Sequence, residues 1–211
     1  MMPWAVLGIF IFFLVVSYIV LQGTRAALAW RKAAAAGDVK VIRDIAEDAL
    51  NSWRSGRRPK AVAPDVWRGI QSAQLIAVAA DGVRVSCQAQ SEYRMLEGRW
   101  LEVRNALQEG MSIAAKAAEM LLYELPNFRP QLIQLDVYTS FRQGEDLSSN
   151  LCILSLQATR DQARTVDWDE WTAEEIVDAL DARYRLGERG QPLPIDVEPW
   201  PADEPQEATA Q

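Results

Sequence analysis

The densest set of side chains that could do chemistry is five carboxylates, Asp167, Asp169, Glu170, Glu174 and Glu175, in the stretch VDWDEWTAEE. Clustered carboxylates can hold a hard cation. A calcium loop, however, needs oxygen ligands at alternating positions, a mid-loop glycine and a terminal bidentate glutamate. Here two tryptophans and a helix start intervene. Thr172 and Glu175 have the spacing of a capping box, and negative charge before a helix N-terminus is favoured by the macrodipole, so a structural role is expected.

Other constellations are thinner. Ser112 and Lys116 lie one helical turn apart, but SxxxK is not the SxxK spacing of penicillin-recognising enzymes. Asp136 falls in an alternating stretch with no following Glu-x-Lys pair to complete a metal-and-base set. No glycine-rich loop follows a strand pattern, which removes the phosphate-cradling motifs. The sequence contains no histidine, so the commonest general base near neutral pH and the commonest metal ligand are missing. Cys87 and Cys152 are too few for a thiolate zinc site within one chain and show no CxxC spacing. Three states are open to them: free buried thiols, one disulfide between neighbouring strands, or a reactive site. A reducing compartment favours the first. The expectation is a chain that is no enzyme and takes no cofactor, catalytic metal or nucleotide.

A net charge of −7 over 211 residues argues against bulk nucleic-acid binding, which requires clustered excess cations to neutralise phosphates. The length suits one domain with appendages.

The elements that must position these groups begin with an anchor. Residues 3–23, PWAVLGIFIFFLVVSYIVLQG, carry no charge and at 1.5 Å per residue would cover roughly 30 Å, the hydrocarbon thickness of a bilayer. Ala27-Leu28-Ala29 fits a small-x-small cleavage rule, but no basic residue precedes the apolar run and Arg25 follows it, so a retained span is expected over a cleaved signal. From Arg25 to Lys60 there are nine basic and four acidic residues. The positive flank places the N-terminus outside and the rest of the chain in the cytoplasm, at an inner or plasma membrane. Arg25, Arg31, Lys32, Arg54, Arg57 and Arg58 are candidates for contact with anionic headgroups.

Gly37 is a stop for the anchor helix and Asp38 a cap for the next, in which Ile42, Ile45, Ala49 and Trp53 recur at helical spacing. That stripe either packs on its own domain or lies on a membrane or partner helix. A basic linker follows to residue 63. A short helix from Pro64, strands around the Asp81-Gly82 turn, a turn at Glu97-Gly98, a long helix over Trp100–Leu125, alternating strands over Gln131–Phe141 and Leu151–Arg160 separated by a polar loop at Gln143–Asn150, and a helix through Tyr184 complete the pattern.

The expected architecture is therefore α+β: a transmembrane helix over 1–24, a juxtamembrane helix and linker over 25–63, and one domain over 64–186. The domain holds a mainly antiparallel four-stranded sheet covered by helices in the order α-β-β-α-β-β-α. Residues 187–211 hold five prolines and six carboxylates against one arginine and read as a disordered acidic tail. The polar strand positions Arg84, Gln88, Gln134, Asp136, Tyr138 and Gln157 would share one face, either simply wet or a surface for a protein partner. Together these readings imply a single-pass adaptor, tied to the bilayer through residues 3–23 and binding a protein, not a nucleic acid. An accessory or assembly subunit of a larger membrane complex, or a His-independent hydrolase, is the alternative.

Overall fold

A computed structural model describes residues 3–96, 98–143, 147–197 and 199–200. The turn residue Glu97, the tip of the polar loop at 144–146, and residues 201–211 of the acidic tail lie outside the described residues.

Helix α1 runs unbroken from Pro3 to Ala35. Among the described residues it is the one helix long and apolar enough to cross a membrane. Its 33 residues amount to about 50 Å, so its last turns exceed what a hydrocarbon layer of roughly 30 Å would take. Those turns dock on the domain. Ala34 is buried in the core, and Arg31 Nε donates to Asn127 Oδ1 at 2.8 Å. Gly37 ends the approach at φ +78, where a Cβ would sit 3.1 Å from the Ala80 methyl.

Asp38 caps helix α2 (Val39–Ser55), accepting from the N–H groups of Lys40 and Val41. Ile42, Ile45, Ala46, Ala49 and Leu50 are buried in the same core as residues of α3 (Pro64–Gln71) and the main sheet. The amphipathic stripe is thus a layer of the domain itself, and each Ile or Leu it buries contributes about 1.5–3 kcal/mol relative to exposure.

Strands β1 (Gln74–Val78) and β2 (Gly82–Gln88) pair antiparallel around Asp81. The chain then forms a separate two-stranded ribbon, β3 (Glu92–Leu96) and β4 (Arg99–Arg104). Helix α4 (Ala106–Glu119) follows and closes in a π-helical turn, Met120–Glu124. Strands β5 (Leu132–Gln143) and β6 (Leu147–Thr159) form a long hairpin. Short helices α5 (Arg160–Ala163) and α6 (Ala173–Ala179) lead to β7 (Arg183–Leu186) and β8 (Pro192–Leu193).

The main sheet has six strands in the order β1-β2-β5-β6-β7-β8 and is mixed, which corrects the four-stranded antiparallel expectation. Helix α4 carries the chain back across the sheet between β2 and β5, so these neighbours run parallel as crossover-connected strands do. The long helix begins later than its periodicity suggests. Trp100 to Arg104 are strand, and the capping box of Asn105 with Gln108 starts the helix. At the other end, Asp181 at φ +54 turns the chain out of α6. Tyr184 consequently lies on a strand opposite Leu154.

One bulge changes a side-chain assignment. The β5–β6 ladder slips by a residue between Val137 and Tyr138, leaving Ile153 extra. Ile153 and Leu154 are both fully buried, and a methyl on Gly110 of α4 would meet Val137 Cγ1 at 3.3 Å and Ile153 Cδ1 at 3.7 Å. Cys152 is therefore turned to the face opposite the helices, beside Tyr138, not onto the core face that simple alternation assigns. Cys87, opposite Val137, stays on the helix side. The two thiols are free, with β5 between their strands. Two strand spacings, about 9.6 Å, and opposite side-chain directions put a disulfide out of reach.

Candidate functional site

The non-helical face of the sheet carries the polar positions singled out by alternation, and it is closed rather than wet. Gln134 is 0% and Asp136 1% exposed, Ser155 is buried, and Arg84, Tyr138 and Gln157 are half-buried. Gln88 alone of the six candidate residues is fully exposed; its N–H donates to Ser72 Oγ. Asp136 is the hub. It accepts from Arg84 Nε at 2.9 Å, from Ser155 Oγ at 2.6 Å and from Gln134 Nε2 at 3.2 Å. Gln157 Nε2 donates to Gln134 Oε1 at 3.0 Å.

A segment expected to be a disordered tail covers this network. After β8, Ile195 N–H donates to Cys152 C=O at 2.9 Å, Gln157 Nε2 reaches Pro199 C=O at 3.2 Å, and Trp200 is 1% exposed. The indole ring lies on Gly82, where a Cβ would meet Leu132 O at 2.8 Å and the ring at 3.0 Å. Prolines and carboxylates conceal the signal for this strap; Trp200 itself, an isolated large aromatic, is what marks it.

The buried groups under the strap are chemically quiet. Burial, then the charge of Asp136, pushes the Cys152 thiol up to about 12, and burial alone does the same for Cys87. Both stay protonated near neutrality and are weak nucleophiles. Burial and then Asp136 also raise the Tyr138 phenol above its ordinary value.

The remaining constellations are accounted for locally. Asp167 Oδ1 accepts from the N–H groups of Asp169 and Glu170, and Glu175 caps the Thr172 N–H and hydroxyl. Those bonds from Thr172 lower the Glu175 carboxyl. Among the described residues no three metal-ligating side chains converge. Ser112 donates to Gln108 C=O, while Lys116 turns away to Glu119 at 2.7 Å.

The six membrane-surface candidates are exposed but divide by position. Arg25, Arg31 and Lys32 lie on α1. Arg54 lies at the far end of α2 and donates to Ala73 C=O just beyond α3, about 25 Å of helix from the foot of α1. Arg57 and Arg58 follow it, and Arg58 Nη1 donates to Val62 C=O at 2.5 Å.

The surface that sequence reasoning missed is the β3–β4 ribbon. Opposed pairs share a face, so Tyr93, Met95 and Trp100 lie on one side and Leu96, Leu101 and Val103 on the other. All six are exposed, Trp100 at 67%. Because β2 runs away from the foot of α1 at Asp81, the ribbon that follows β2 lies at the end of the sheet far from that foot.

No protein-family profile matches the chain, and comparison with curated proteins and with solved structures finds no match.

Proposed function

We propose that the chain is a single-pass membrane-anchored binding module whose domain faces the cytoplasm and engages a protein through the β3–β4 ribbon. The observation that carries this reading is a two-stranded ribbon with large apolar side chains exposed on both faces. Such a ribbon is marginally stable alone, and soluble proteins seldom leave contiguous apolar patches uncovered without use. Because both faces carry large apolar side chains, the occupant is a groove in a partner protein that closes around the ribbon, with the exposed Arg99 meeting an acidic rim, while Arg94 is paired with Glu92. The positive flank after α1 supports the cytoplasmic orientation, and the closed, protonated groups beneath the strap support binding over catalysis. Docking of α1 on the domain would hold the ribbon at a fixed height above the bilayer and raise its local concentration for membrane partners.

A photo-crosslinking residue placed at Trp100 or Leu101 of the full chain in intact cells tests this. One discrete adduct to a single partner, lost in Met95→Asp and absent from the α2 position Glu47, is expected. Absence of any adduct, or crosslinking only to a second copy of the chain, contradicts it.

A further inference from the structure

The foot of α1 opens onto a cavity of about 700 Å³. Its walls include Ala34 and Ala35 of α1, Leu125, Pro126 and Phe128 after the π-helical turn, and Tyr123. The charged groups in the lining are Arg31, Arg129 and Asp81. Arg31 is oriented through Nε by Asn127 Oδ1, which leaves its terminal nitrogens without a partner among the described residues. Arg129 is exposed and has no carboxylate partner among the described residues. A third cation stands behind the wall: Arg160 lies 5.3 Å from the Tyr123 ring centre and donates to Pro130 C=O. Burial, then repulsion from Arg129 and Arg164, lowers the Arg160 guanidinium below its ordinary value, so three cations crowd one corner in which Asp81 is the one carboxylate of the lining. The carbonyls of Lys32, Ala33 and Ala34 near the end of α1 are already taken by the N–H groups of Ala36, Gly37 and Asp38.

Position identifies the anion. Arg31 lies eight residues past Gly23, about 12 Å beyond the end of the uncharged stretch and so a few ångströms outside a headgroup layer about 5–7.5 Å thick, within reach of its long side chain. We propose that this cavity is a site for the phosphate of an anionic phospholipid headgroup, held by Arg31 and Arg129 with the glycerol end against Pro126 and Ala35. The inference rests on α1 lying in a bilayer, but not on which way the chain crosses it, since both leaflets carry phosphate. Guanidinium forks suit phosphate geometry, and basic pockets beside membrane helices have this use.

The test reconstitutes the full chain in nanodiscs containing phosphatidylcholine and phosphatidylglycerol, then releases it and counts retained lipid by native mass spectrometry. Preferential retention of phosphatidylglycerol is expected, weakened about fivefold by Arg129→Gln or Arg31→Gln. Arg189→Gln, at the opposite end of the domain, should retain it as the parent does. Arg129 is exposed and its substitution leaves the fold intact, whereas Arg31→Gln also removes the hydrogen bond to Asn127; a thermal melt checks both. Equal retention of the two lipids, or unchanged retention in Arg129→Gln, overturns the proposal. So does thermal stabilisation by soluble glycerol phosphate without lipid preference, which would assign the site to a soluble phosphate. Failure of the chain to enter nanodiscs removes the anchor itself, an outcome distinct from entry without preference.

Discussion

Arg84 Nε and Asp136 Oδ2 meet at 2.9 Å from the two strands of the sheet that run parallel, with Asp136 1% exposed and Arg84 half-buried beside it. Removing one partner of a buried charge pair costs more than the pair is worth, because the other group is left uncompensated. Asp136→Ala also strands Ser155 Oγ. The expected loss is about 2–4 kcal/mol in denaturant unfolding of the full chain in detergent, against about 1 kcal/mol for Ser155→Ala. An Asp136→Ala variant as stable as the parent would remove Asp136 as the hub.

The strap gives a sharper contrast. Trp200→Ala empties a fully buried site and should cost about 3–5 kcal/mol, whereas Trp200→Phe should cost less than about 1.5 kcal/mol. Gly82→Ala forces a methyl to 2.8 Å from Leu132 O and against the indole, so it should destabilise and shift tryptophan emission to the red. If truncation after Gly190 left stability unchanged, the strap would have no part in the fold.

Both thiols should resist a disulfide-exchange reagent at pH 8 in the native state and react together on unfolding, since burial holds each at about 12. Rapid labelling of Cys152 in the folded chain would mean that the strap opens readily. No oxidant should join the pair without unfolding, because β5 separates them on opposite faces.

Glu109 sits buried on α4, its carboxyl raised above the ordinary 4.5 by burial despite an N–H bond from Gln90. The folded state therefore holds this proton more tightly than the unfolded chain does. Stability contributed here is present while both states are protonated, and is lost as pH rises from the unfolded value through the raised folded one. Glu109→Gln keeps an acceptor for Gln90 and should flatten that decline, gaining on the parent across this window. Identical pH profiles for the two proteins would contradict the burial effect.

What the sequence makes legible is what local physics determines. The uncharged run of α1, the Asp38 and Thr172 caps, the Asp81-Gly82 turn and the alternation of β5 and β6 all depend on residues within a few positions of one another. The misreadings are long-range or compete with a local pattern. Trp100 to Val103 continue the apolar spacing of α4, and only Asn105 with Gln108 marks the true start. Nothing near Cys152 announces the bulge at Ile153, because the slip is decided by the partner strand. The parallel pairing of β2 and β5 depends on where α4 packs. Composition hides the strap, although Trp200 is an unusual residue to leave in solvent. The polar face follows the expected alternation of Gln134, Asp136 and Tyr138, yet its role changes once Ile195 to Trp200 lie over it.

Protease treatment of intact cells, with the mass of the chain measured afterwards, tests the anchored cytoplasmic module most directly. The expected result is a membrane-bound chain that retains residues 3–23 and is digested only after the membrane is permeabilised. Digestion of the domain in intact cells, or a mature chain beginning at Trp30, would contradict it and place the β3–β4 ribbon outside the cytoplasm.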